Sequence, residues 1–146
     1  MYGARAYSGD VPSYEEARVV LASQPLTVLG CDSASLVTSE DADALIVTGS
    51  HGGALAGRPS YGLVTTPRGA VFNDAGVGID EAGIARLAIL DAQGVPAVTV
   101  GADSAQIGDA RSAWDDGVIS HVNAVAAALG LTPGDRVPDF AAKLAG

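Results

Sequence analysis

The stretch Ala44-Leu45-Ile46-Val47-Thr48-Gly49-Ser50-His51-Gly52-Gly53 decides the fold. Its first half is an apolar run without polar alternation, the pattern of a strand covered on both faces, as in a parallel sheet. Its second half is a glycine-rich loop holding a serine and one of only two histidines. A strand buried on both faces needs neighbours like itself. Residues 26–29, 70–72 and 97–100 supply them, each short, apolar and followed by a polar or glycine-containing loop. The turn after the first of these is Gly30-Cys31-Asp32-Ser33, and 36–38 is a further extended piece.

Helices are expected around these strands. Ser13-Tyr14-Glu15-Glu16 has capping-box form, with Tyr14, Ala17, Val20 and Leu21 at helical spacing, which predicts a helix over 13–23. A short helix over 60–65 ends before Pro67. Asp80 caps a helix marked by Ile84, Leu87, Ala88 and Asp91 and closed by Gly94 and Pro96. The loop over 101–117 is long, and Val118, Val122, Val125 and Leu129 predict an amphipathic helix ended by Gly130 and Pro133. Phe140 and Leu144 stand one turn apart in the segment 132–146, which reads as a docked arm, onto a partner subunit in a homo-oligomer. Strands alternating with helices, with no linker or internal repeat, predict a single α/β domain over 1–146. The expected form is a three-layer sandwich around a mainly parallel, Rossmann-like doubly wound sheet of about four or five strands.

Composition narrows the function. The chain is 48% hydrophobic but only 5% aromatic, so its core is built from small aliphatic side chains. Net charge is −9, and the eight cations, seven Arg and Lys143, form no stripe, which argues against nucleic-acid binding. Cys31 is the single cysteine, so an internal disulfide and a cysteine-rich metal site are excluded. No apolar run approaches the roughly 18 residues a membrane span needs, and Met1–Pro12 lacks a signal-peptide core. These readings predict a cytoplasmic protein of the kind found among bacterial metabolic enzymes, with no membrane partner.

In open parallel sheets, ligands bind outside the carboxyl ends of the strands. That rule gathers four loops, 30–35, 49–54, 73–80 and 101–111, together with Ser120-His121-Val122-Asn123. Gly49, Gly52 and Gly53 let the backbone point several N–H groups at one spot, a nest for a carboxylate, a phosphate or a developing oxyanion. Ser50 and His51 add side-chain donors. The competing reading is a packed strand-to-helix turn. Asn73 adds a further donor, and Asp74 is placed to orient His51 or act as a base, against the alternative of an Asx turn. Ser104 is a candidate nucleophile or donor, and Arg111 is the preferred anion clamp, with Arg58 in reserve. His121, expected at a helix N-terminus, would be held neutral as a base; the alternative is an exposed residue beside a capping Ser120. Cys31 reads as a buried apolar residue rather than a nucleophile.

Named motifs fail on particular residues. A P-loop needs Gly-Lys-Ser/Thr, and no lysine follows Gly53. The dinucleotide fingerprint breaks at Leu55 and at Glu81. No serine has glycine at both −2 and +2, which excludes the α/β-hydrolase elbow. No His-x-His or His-x3-His spacing supports a metal. The reading that remains is a cofactor-independent enzyme acting on a small anionic or amide-type metabolite by hydrolytic or acid/base chemistry, isomerase and lyase included. His51, Asp74, Ser50, Ser104 and His121 would be its catalytic set, and Gly49, Gly52, Gly53, Asn73 and Arg111 its binding set. The alternative is a non-catalytic ligand-binding or regulatory subunit of a larger assembly.

Overall fold

The computed structural model describes residues 18–24, 26–32, 37–51, 66–75 and 85–145, with Ser39, Ser50, His51 and Ala85 described by backbone alone. Among these residues, six strands form one open sheet in chain order: β1 (Arg18–Ala22), β2 (Val28–Cys31), β3 (Leu45–His51), β4 (Gly69–Asn73), β5 (Ala97–Val100) and β6 (Ile119–Val122). β2 to β5 run parallel, and an antiparallel strand closes each side. Among the described residues, four α-helices accompany them: α1 (Ala85–Ala92), α2 (Ala110–Asp116), α3 (Ala124–Ala128) and α4 (Val137–Ala145).

The apolar stretch behaves as its composition demands. Leu45, Ile46 and Val47 are fully buried and alternate between two apolar clusters. Leu45 and Val47 join Val71, Val98, Val100, Ala113, Ala126, Val137 and Phe140 on one face. Ile46 joins Cys31, Val37, Ala70, Phe72, Leu87 and Leu90 on the other. The division follows chain order. Val37, Leu87 and Leu90 belong to segments that connect parallel strands, whereas Ala113, Ala126, Val137 and Phe140 all come after β5. Right-handed crossovers that always advance in one direction fall on one side of a sheet, so the other side is left to the later helices.

A doubly wound sheet reverses its strand order at a switch point. The order of the described strands does not reverse.

Several local expectations are corrected. Residues 18–22 of the expected 13–23 helix are strand, with Arg18, Val19 and Val20 paired to Cys31, Gly30 and Leu29. β-Branched valines suit that edge, and β1 supplies partners for backbone groups of β2 that would otherwise be open; residues 13–17 lie outside the described set. The second strand is 28–31, not 26–29, and takes in Gly30 and Cys31. Of the extended piece expected over 36–38, Thr38 is extended and caps a 3-10 turn at Ser39–Asp41, and residue 36 lies outside the described residues. The expected 118–129 helix is the strand β6 followed by α3. Ile119 is the buried residue there, and β6 pairs with β5, which outweighs the i, i+4 valines. The 101–117 loop holds α2, with Asp109 accepting the Ser112 N–H. The arm docks on its own domain: Phe140 and Ala141 are core residues, and Arg68 donates to the Leu144 carbonyl at 2.9 Å. The expected helix over 60–65 lies outside the described residues.

Candidate functional site

β3 runs on through Gly49, Ser50 and His51 instead of ending at Thr48. Gly49 is therefore a strand residue. The loop before α2 crosses it so closely that a Cβ on Gly49 would sit 2.3 Å from the Asp109 nitrogen and 2.4 Å from the Gly108 carbonyl carbon. Gly108 donates its N–H to the Gly49 oxygen at 2.7 Å. Close backbone packing, the competing reading of this glycine, accounts for it. Gly52 and Gly53 lie outside the described residues, as do the side chains of Ser50 and His51.

The backbone register places His51 beside Asn73 on the neighbouring parallel strand. Asp74 follows at the carboxyl end of β4. The Asn73 side chain donates to the Ala105 carbonyl at 3.0 Å and accepts the Ala75 N–H at 2.8 Å. That second bond is the Asx turn weighed from sequence, and it holds Ala75 at a left-handed φ of 52°. Asp74 is 6% exposed, and its Oδ1 accepts the Ala102 N–H at 3.0 Å. Ser104 bridges its own loop, donating to the Gly101 carbonyl at 2.8 Å and accepting the Val118 N–H at 2.9 Å. Its hydroxyl is thus engaged as both donor and acceptor. Asn73, Asp74, Ser104 and the 101–105 turn are one connected group at the carboxyl edge.

The hydrogen bonds of His121 go to other residues, and Arg111 is not bonded to that group among the described residues. His121 is on β6, with Nδ1 3.2 Å from the Ser120 hydroxyl and 3.3 Å from that of Thr99, and the two hydroxyls are 2.9 Å from each other. His121 lies in a strand, not at the helix N-terminus expected from the sequence. Arg111 is an exposed residue in the first turn of α2. Among the described residues, no three His, Cys, Asp or Glu side chains gather where they can hold a metal. No described helix is long and apolar enough to cross a membrane.

Three groups escaped the sequence reading. Asp32, after β2, accepts the Ala110 N–H at 3.0 Å and so ties β2 to the start of α2. Burial pushes its carboxyl pKa up, partly opposed by that hydrogen bond and helped by nearby Asp109. Arg18 grips Asp41 through both terminal nitrogens, at 2.8 and 3.3 Å, and also donates to the Cys31 sulfur at 3.6 Å. Burial, outweighing Arg18, raises the Cys31 thiol pKa, consistent with an inert buried cysteine.

The third is Arg86, on α1. It is 3% exposed, and its Nε and Nη1 are buried with no hydrogen-bond partner among the described residues. Its guanidinium lies 5.1 Å from the centroid of Phe72, and burial lowers its pKa. Taking a guanidinium out of water costs several kcal/mol, whereas a desolvated cation–π contact contributes about 2 kcal/mol. The only sequence signal was its spacing: four residues before buried Leu90, Arg86 occupies a core-facing position where charge is rare.

Compared with protein-family models, with curated proteins and with solved structures, the chain has no match.

Proposed function

We propose that this domain acts on a small anionic or amide-type metabolite at the carboxyl edge of β3 and β4, without a cofactor, with His51 and Asp74 as the acid–base pair. The observation that carries this reading is the register of His51 with Asn73, which brings the histidine to the strand end that Asp74 follows. Asn73 would bind the substrate, Ser50 would serve as nucleophile or donor, and residues 49–53 would receive the anionic group. The three-layer form of the fold is part of the same proposal, supported by apolar clusters on both faces of the sheet. A cytoplasmic homo-oligomer remains the proposed setting.

A second reading is favoured by a specific observation. Asn73 and Ser104 already have both donor and acceptor roles filled within the protein, and Asp74 holds the Ala102 N–H. Groups so engaged suit a non-catalytic binding or regulatory subunit, where they would shape a pocket rather than move protons.

The test is thermal-shift screening of small carboxylates, amides and phosphates on the wild-type chain and on His51→Ala. Loss of the response in the variant supports the edge site, and an unchanged response removes residues 49–53 from the account. A ligand found this way then separates the two readings: chemical conversion of it, abolished by His51→Ala, is expected of the enzyme, and intact recovery is expected of the binding subunit.

A further inference from the structure

The face of the sheet that carries Phe72 holds an arrangement independent of the His51 edge. Side chains of a strand alternate between faces; Phe72 belongs to one apolar cluster, whereas Asn73 reaches Ala105 in the other. Phe72 pairs in register with Thr99, and Thr99 with His121. Three adjacent strands therefore place Phe72, Thr99 and His121 in one row. Arg86 covers its Phe72 end, and the linked hydroxyls of Thr99 and Ser120 lie at its His121 end. Both hydrogen bonds of the His121 ring use Nδ1.

Arg86 is the feature that calls for a ligand. Arginine does not lose its proton in a protein, so its burial leaves a full positive charge inside. The buried Nε and Nη1 carry three of the five N–H donors of the group. A native structure leaves few such donors unmet, and an ion is one of the standard explanations. The chain has 17 acidic residues, yet no described acid bonds to this guanidinium. A water molecule would meet a donor but not the charge. An oxyanion meets both, because carboxylate and phosphate oxygens match the planar fork of the guanidinium.

We propose that Arg86 is the anchor of an oxyanion-binding site on the Phe72 face, taking the carboxylate or phosphate group of a small molecule, with the Thr99–Ser120–His121 group forming its far side. The site rests on Arg86, not on His51, so it stands or falls separately from the activity proposed above.

The experiment is thermal denaturation of the whole chain in increasing sodium phosphate, and separately in sodium acetate, at ionic strength held constant with sodium chloride. Wild type is expected to gain at least ~3 °C at saturation in one of the two series, which identifies the group that binds. Arg86→Met, matched in length and uncharged, is expected to show no anion-dependent gain. Should that variant fail to fold, Arg86→Lys keeps the charge but lacks the planar fork, and its half-saturating concentration is expected to rise about tenfold or more. A wild-type chain indifferent to both anions overturns the proposal, because the charge of Arg86 is then met within the protein. An Arg86 variant that responds as wild type does also overturns it, because the anion then binds elsewhere.

Discussion

The carbonyl oxygen of Gly49 accepts the backbone N–H of Gly108 at 2.7 Å, which joins the central strand to the loop that opens α2. This contact gives Gly49 a packing reason for its identity. Gly49→Ala places a methyl group within 2.3–2.7 Å of the Asp109 nitrogen, the Gly108 carbonyl carbon and the Asp32 oxygen. All three are backbone atoms that no rotamer change can move. The expected loss is about 3 kcal/mol, measured by urea denaturation. A variant within ~0.5 kcal/mol of wild type would show that the loop can lift away at little cost.

The Asn123 side chain ties three segments of the chain together. Its Oδ1 accepts from Ala97 and Ala126, and its Nδ2 donates to the carbonyls of Leu87 and Val95. It is 7% exposed, so these four backbone groups would have little access to water without it. Asn123→Ala is expected to cost about 3 kcal/mol in the same assay. Asn123→Asp keeps the acceptors but turns a carboxylate toward two carbonyls. It should therefore be less stable at neutral pH than in mild acid, where its protonated form can donate once.

Asp41 sets a pH dependence. The Arg18 hydrogen bond, opposed by burial and aided by the Thr38 N–H, holds its carboxyl pKa below the ordinary aspartate value. A depressed pKa in the folded state means the stabilisation is present above the unfolded value and lost as pH falls through the folded one. Asp41→Asn should therefore be less stable than wild type at pH 7, by about 2 kcal/mol. The gap should close as pH drops below the unfolded value. Denaturation curves at pH 7 and at successive pH values below 4 give the comparison, and a gap that persists unchanged in acid would assign Asp41 a role other than its charge.

The terminal helix carries core, not an accessory contact. Phe140 is fully buried in the cluster that includes Leu45 and Val47, and its ring lies where a Cβ on Gly69 would come within 2.8 Å. Phe140→Ala is expected to cost about 4 kcal/mol. Size-exclusion chromatography of the folded variant separates the alternatives. A dissociating oligomer with unchanged monomer stability would return the helix to the role of an intersubunit arm.

The parts of the fold legible in the sequence are those where burial leaves no choice. The run Leu45–Val47 must be a covered strand, and 70–72 and 97–100 follow the same rule. Gly94, at φ +76°, ends α1 as a helix-terminating glycine should. Edge elements were misread for a common reason. Val20 is 61% exposed and Val118 is 38% exposed, so neither belongs to an apolar stripe, although both fell at helical spacing. An edge strand is selected by the unpaired backbone of its neighbour, and composition does not record that neighbour. The site was legible only as an edge: loop order brought Asn73, Asp74 and Ser104 to one end of the sheet, but not the hydrogen bonds that engage them.

Gly49-Ser50-His51 shows where the division falls. Chain chemistry alone determined that an aliphatic strand leads into these residues and that the domain is α/β, because period and apolar content are local properties. Tertiary structure alone decided that the strand continues to His51, that Gly49 yields its side-chain space to Gly108 and Asp109, and that Arg86 is enclosed over Phe72. Each of those depends on a segment distant in sequence, and a contact of that kind has no signature in either partner taken by itself.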